Sequence, residues 1–250
     1  MLRKRIIITG ASSGLGAEMA RQFAAKGRDL ALCARRLDRL KTLRDEILAA
    51  NPGATVVLRS LDVNDDDAVF TVFRELSSEL GGLDRVIVNA GIGKGAPIGT
   101  GRYDANRQTA MTNFVAALAQ CEAAMEIFRT AGAGHLVVIS SMSANRGLPK
   151  ALTTYAASKA GIAALAEGIR MEMIGGPIKV TTILPGYIAS EMNDRVPSKT
   201  PLLVDTATGV HSIVGAIERE VGSAEVPTWP WRPIGLVLRH APLGVVRRFS

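Results

Sequence analysis

The stretch that most limits the fold lies near the start of the chain, where Ile6-Ile7-Ile8 runs into Thr9-Gly10-Ala11-Ser12-Ser13-Gly14-Leu15-Gly16. A short apolar run leads into a glycine-rich turn, and a helical pattern, 15–25, leaves it. Gly10 permits the tight turn. Gly14 and Gly16 let the backbone and the helix come close to a pyrophosphate, and the helix N-terminus adds amide donors and the positive end of its dipole. The spacing is G-x-x-x-G-x-G rather than the commoner G-x-G-x-x-G. Such a turn in isolation is weak evidence. Its position between the first strand and first helix of an alternating chain gives it force.

The alternation continues. Candidate strands are 5–9, 30–33, 55–58, 85–89, 135–140 and 179–184, and helical patterns fill 38–50, 65–80, 105–130, 155–173 and 206–221. This order predicts an α/β fold, a doubly wound parallel sheet with helices on both faces. A length of 250 residues suits a single domain, 1–250, and the 47% apolar content allows a substantial core. The Gly- and Pro-bearing stretch 91–101 follows a strand and reads as a loop at the carboxyl edge, where ligands bind in such sheets.

Strand two ends in Cys33-Ala34-Arg35-Arg36. An NAD-preferring turn usually carries an acid here for the ribose hydroxyls. Arg35 and Arg36 instead suit a 2′-phosphate, which guanidinium groups grip through paired hydrogen bonds, and Ser12 or Ser13 could add a donor. This pattern favours NADP(H) over NAD(H), against the plainer reading of two arginines decorating a helix start. Asp38 then caps the second helix. Asp62-Val63 follows strand three; Asp62 either accepts the adenine amino group or caps the next helix. Asn89-Ala90-Gly91 closes strand four, its small residues allowing close passage of a cofactor while Asn89 braces neighbouring strands.

A second informative stretch is 139–161, ISSMSANRGLPKALTTYAASKAG. Tyr155 and Lys159 are four residues apart and share a helix face. An ammonium beside a phenol lowers the phenol pKa and fits it for proton transfer to a substrate oxygen. Ser141, at the end of the preceding strand, could aim its hydroxyl at the same oxygen. Tyr-x-x-x-Lys by itself is common by chance, the plain alternative being a core tyrosine and a surface lysine.

Other features narrow the function. Cys33 and Cys121 sit in apolar runs and read as core thiols of a reducing compartment. His135, His211 and His240 are scattered, and no metal-ligand spacing occurs. The run before Thr9 is too short for a signal peptide or membrane span, so the expected location is cytoplasmic. The net charge of +7 is spread along the chain and aromatic residues are scarce, which disfavours nucleic acid as a partner.

Taken together, Thr9-Gly10-x-x-x-Gly14-x-Gly16, Asn89-Ala90-Gly91, Asn113, Ser141, Tyr155-x-x-x-Lys159 and Pro185-Gly186 make the chain resemble the classical short-chain dehydrogenase/reductase family over nearly its whole length. The resemblance implies a seven-stranded Rossmann-type sheet and a catalytic tetrad of Asn113, Ser141, Tyr155 and Lys159. It implies hydride transfer between a nicotinamide and a carbonyl/alcohol pair, with Tyr155 moving the proton. Lys159 would hold the nicotinamide ribose hydroxyls and lower the tyrosine pKa, and Asn113 would hold a water linked to Lys159. Ile188 would offer its backbone to the carboxamide, and Ser190 stands where the family often has threonine. Ser141 and Tyr155 are one residue further apart than in many relatives, which predicts a bulged loop and leaves Ser143 as a weaker rival. A homo-oligomer, dimer or tetramer, built on 105–130 and 155–173, is also implied.

The family places its substrate lid at about 186–205, where Met192, Val196 and Leu202 could line an apolar pocket. The tail, 227–250, carries Trp229, Trp231 and basic residues; packing against the subunit or a symmetry mate is favoured over contact with a membrane surface. The expectation is an NADP(H)-dependent oxidoreductase for a small, apolar carbonyl or alcohol substrate. The alternatives are a catalytically silent NADP-binding regulator and a membrane-associated protein of the same fold.

Overall fold

The computed structural model describes residues 3–191 and 202–248. Met192 and Val196, expected to line the lid, lie outside the described residues, as do Phe249 and Ser250 of the tail. Seven strands form one parallel sheet in the order β3-β2-β1-β4-β5-β6-β7. They are β1 (Arg5–Thr9), β2 (Asp29–Ala34), β3 (Val56–Ser60), β4 (Arg85–Val88), β5 (Gly134–Ile139), β6 (Ile178–Pro185) and β7 (Ser223–Val226). The first six match the predicted strands to within a residue or two. β7 is short, half-polar and at the sheet edge, and its sequence carries no strand signal of its own.

Alternation along β1 shows how the core divides. Ile6 and Ile8 face a layer built with α1 (Gly14–Ala25), α2 (Leu37–Ala50) and α7 (Thr206–Glu218), while Ile7 faces the opposite layer. That second layer is formed with α3 (Asp66–Glu79), α5 (Ala116–Ala131) and α6 (Leu152–Glu172). Strands buried on both faces need apolar residues at every position, which explains the continuous Ile and Val runs. Two helix starts are capped by acids: Asp65 accepts from the Ala68 amide and Asp205 from the Thr208 amide. Asp38 differs from expectation. Arg36 occupies the cap position of α2, and Asp38 lies inside the first turn, where its charge complements the dipole without a capping bond.

The long helix expected over 105–130 is broken. α4 (Tyr103–Ala110) passes through a π-helical turn, Met111–Val115, before α5 begins. The tail folds as α8 (Thr228–His240) and α9 (Leu243–Arg248), separated by Pro242 as its missing N–H requires. Trp231 is 5% exposed and packs with Met142 and Leu184, whereas Trp229 is 78% exposed. The tail therefore docks on its own subunit through one of its two tryptophans. Among the described residues, no helix is long and apolar enough to cross a membrane.

Candidate active site

The strand order reverses between β1 and β4, and the crevice outside their carboxyl ends is where the glycine-rich turn sits. Gly10 has φ +65° and Gly14 has φ +53°, a region L side chains rarely adopt. A Cβ on Gly10 would come within 2.8 Å of the Ala90 Cα, and one on Gly16 within 2.4 Å of the Gly10 carbonyl oxygen. The turn, α1 and the end of β4 thus touch through hydrogen atoms alone. Asn89 locks the arrangement: its side-chain amide donates to the Thr9 carbonyl at 2.8 Å, and the Asn89 and Ala90 amides donate to the Thr9 hydroxyl at 3.1 Å. Ser13 caps α1 by position but makes no capping bond with its side chain, and Leu15 and Gly16 follow in the first turn. The first-turn amides therefore point at the crevice without an acid beside them, an arrangement that suits a diphosphate. Gly91 extends the same cradle, since a Cβ there would reach within 3.2 Å of Asn113 Oδ1 and 3.5 Å of Lys159 Nζ. The crevice fits a dinucleotide because Gly10, Gly14, Gly16 and Gly91 leave its floor without side chains.

At its far end the cradle is cationic. Arg36 donates to the Ser13 hydroxyl at 2.8 Å and to the Ser12 hydroxyl at 3.2 Å. Arg35 does not join them. It is exposed, and its charge helps hold the Asp62 carboxyl below its ordinary value. Burial pushes that carboxyl up, but hydrogen bonds from the Asn64 amide and side chain, together with Arg35, prevail. Asp62 thus closes a local turn beside buried Val63, and the cap of α3 is Asp65. Arg36 and Arg39, one helical turn apart, are both salt-bridged to Glu191. Arg39 and Glu191 were not anticipated. The i,i+3 spacing of Arg36 and Arg39 was a readable signal for the first, but nothing in the sequence pointed to Glu191.

Ser141 ends β5 and caps a 3-10 turn, Met142–Asn145, its hydroxyl accepting from the Ser143 amide at 3.2 Å. The lengthened loop that follows is accommodated by this turn and by Lys150 at φ +60°. Tyr155 and Lys159 lie on one face of α6, with Lys159 Nζ 6.0 Å from the phenol ring centroid. The Lys159 ammonium is buried and donates to the Ile139 carbonyl at 2.9 Å, and burial lowers its pKa to about 8. Contrary to expectation, the Tyr155 pKa is raised. Burial pushes the phenol up, and a hydrogen bond from Ser141 opposes it only in part. At this separation the ammonium serves the Ile139 carbonyl and does not overcome the loss of solvent around the phenol. Ser140 fastens the strand to the helix by donating to the Lys159 carbonyl at 2.8 Å.

Asn113 sits in the π turn and is buried. Its Oδ1 accepts from the Ile92 amide at 2.8 Å and its Nδ2 donates to the Ile92 carbonyl at 2.9 Å. The side chain is bonded to the backbone just beyond Gly91. A π turn inserts one extra residue per turn, and this rotates Asn113 toward Ile92 and Ser158. On the other wall, Pro185 ends β6 and Gly186 underlies Trp231, whose ring atoms a Cβ at Gly186 would meet at 2.0 Å. Ile188 is buried and pairs with Val204, and Ser190 Cβ lies 3.4 Å from where a Gly14 Cβ would stand. Leu202, expected in the pocket wall, is exposed.

The model of the short chain dehydrogenase family matches residues 4–201. An uncharacterized oxidoreductase of Mycobacterium tuberculosis is 54% identical over 248 residues, covering 99% of this chain and 98% of that protein. A short chain dehydrogenase/reductase from Burkholderia phymatum, solved in complex with NAD, superposes with a TM-score of 0.84 at 20% identity, covering 98% of this chain and 97% of the other. An alcohol dehydrogenase from Thermococcus sibiricus, solved with 5-hydroxy-NADP, gives a TM-score of 0.79 at 23% identity over 89% of this chain and 94% of the other.

Proposed function

Because this chain belongs to the short-chain dehydrogenase family, we propose that it is an NADP(H)-dependent oxidoreductase interconverting a ketone or aldehyde and an alcohol, with Tyr155 as acid and base. The observation that carries this reading is the meeting of Ser141, Tyr155 and Lys159 beside a cradle that admits only small residues. The nicotinamide, when bound, delivers or accepts the hydride at the substrate carbon. Tyr155 gives its hydroxyl proton to the carbonyl oxygen in reduction and takes it back in oxidation. Ser141 hydrogen-bonds the phenol oxygen and so stabilises the negative charge that remains after proton transfer. Lys159, largely protonated at neutral pH with a pKa of about 8, supplies positive charge on the same face. Asn113 fixes the Gly91–Ile92 turn that borders the ammonium.

Two features support NADP(H) and reduction. Arg36, joined to both turn serines, is placed to grip a 2′-phosphate. The Tyr155 phenol, protonated at neutral pH, is in the form that donates to a carbonyl oxygen, the role carbonyl reduction needs. The same reading includes an apolar substrate, the cytoplasm as compartment and a homo-oligomer. The exposed apolar residues Met171 and Ile174, at the end of α6, support a partner copy there. The membrane alternative draws on exposed Trp229, Leu236 and Val237 beside Arg232 in α8. Flotation of the whole chain with anionic liposomes decides it, with no co-flotation as the expected result.

The direct test is Tyr155→Phe, assayed with a panel of ketones by NADPH consumption and, separately, by NADPH binding. Turnover is expected to fall about 10²–10⁴-fold with binding retained. Undiminished turnover in the variant overturns the mechanism.

A further inference from the structure

The seat expected for the cofactor's 2′-phosphate already holds an anion, and the chain supplies it. Glu191 Oε2 accepts from both terminal nitrogens of Arg36 at 3.3 Å, and Oε1 accepts from Arg39. Ser13, bound to Arg36 at 2.8 Å, also hydrogen-bonds this carboxylate. A carboxylate bridging two guanidinium groups and a hydroxyl reproduces the donor set a phosphomonoester would use. Hydrogen bonds and charge from Arg39, Ser13 and Arg36 hold its carboxyl below the usual range, so it is ionised at neutral pH.

Glu191 is not on a loose arm. Just before it, the Ala189 amide donates to the Val204 carbonyl at 2.9 Å, and the Thr206 hydroxyl donates to the Ala189 carbonyl at 2.7 Å. Ser190 lies over Gly14. The segment therefore runs from the end of β6, across the glycine-rich turn, to the cationic end of the cradle. Arg36, Arg39 and Glu191 are each nearly half-exposed, so the ion pairs are solvent-screened and can be exchanged for a ligand. A phosphomonoester brings more charge and more acceptor oxygens than one carboxylate and can displace it.

We propose that Glu191 is a built-in competitor for the 2′-phosphate, seated on Arg36 and Arg39 until NADP(H) displaces it. This inference rests on the NADP(H) reading and adds a regulation to that site. Displacement frees the Glu191 carboxylate from the two guanidinium groups. NAD(H), which lacks the phosphate, leaves the contact in place. The carboxylate thus lowers affinity for the phosphorylated cofactor.

The test measures binding of NADPH, NADH, 2′,5′-ADP and 5′-ADP to the wild-type chain and to Glu191→Gln, by calorimetry. Gln keeps the shape and removes the charge at an exposed position, so the fold is retained. NADPH and 2′,5′-ADP are expected to bind about three- to tenfold more tightly to the variant, while NADH and 5′-ADP change less than about twofold. A wild type that prefers NADPH over NADH but is unmoved by Glu191→Gln overturns the proposal alone, as does equal tightening of all four ligands. If neither protein distinguishes NADPH from NADH or binds 2′,5′-ADP, the cofactor assignment itself is overturned.

Discussion

Arg35 and Arg36 are neighbours in sequence but act on different groups. Arg36 turns toward Ser12 and Ser13, and Arg35 toward Asp62. The two guanidinium groups meet different partners because side-chain direction at a strand end depends on the helix that follows. Arg36→Ala is expected to weaken NADPH binding about tenfold while sparing NADH, whereas Arg35→Ala weakens the two cofactors alike. Fluorescence titration of both variants with both cofactors checks this. Tyr155 offers a second residue-level outcome. Its raised pKa means that the base form needed for alcohol oxidation is scarce at neutral pH. Oxidation is expected to accelerate as pH rises from about 7 to 9, while carbonyl reduction stays flat from about 6 to 7.5. Initial rates in both directions across that range measure it; an oxidation rate that falls with pH contradicts the assignment.

Elements explain what single residues do not. The sequence from Ala105 to Thr130 is helical throughout in composition, and its periodicity gives no warning of the π turn at Met111–Val115. Within the turn, Asn113 satisfies both polar groups of Ile92, which lie in a loop after β4 and are remote in sequence. The tail behaves similarly. Its tryptophans look alike in sequence, yet Trp231 fills the space above Gly186, where a Cβ would not fit, and meets Tyr187 edge-on at 5.4 Å. Trp231→Ala is expected to cost about 3–5 kcal/mol. That lowers Tm by about 2–4 °C for each kcal/mol in a chain of this size. Trp229→Ala is expected to shift Tm by less than about 2 °C, being exposed. Thermal unfolding of the two variants side by side distinguishes them.

At the scale of the whole molecule, the sheet separates two polar ends. The carboxyl end carries the crevice. The opposite end carries a buried ionic knot in which Arg85 and Arg28 each bind Glu218 at 2.5 Å, and Arg3 binds Glu220 at 2.7 Å. Arg85 Nε donates to His135 Nδ1 at 2.9 Å, so the neutral ring carries its proton on Nε2 and donates to Thr181 at 2.8 Å. Burial, then the charges of Arg85 and Arg3, depress the His135 pKa to about 2. The unfolded chain takes up a proton near pH 6.5 that the folded chain refuses, so stability is present above that pH and declines below it. The loss approaches ~1.4 kcal/mol per pH unit well below pH 6.5 from this residue. Urea unfolding at pH 7 and pH 5 should show the decline, and His135→Gln should flatten it; an unchanged slope in the variant contradicts the account.

The sequence by itself determined the alternating layers, six of the seven strand positions within a residue or two, the glycine turn and the Tyr155–Lys159 face. Each of these rests on interactions between residues near in sequence, on backbone freedom at glycine, or on a hydrophobic period. Only the tertiary structure decided that Arg36 and Arg39 both pair with Glu191, that Asn113 braces Ile92, and that burial raises the Tyr155 pKa. Those outcomes join segments up to 155 positions apart, as Arg36 and Glu191 are, and depend on how much water each contact excludes. A linear pattern encodes neither the distance nor the solvent.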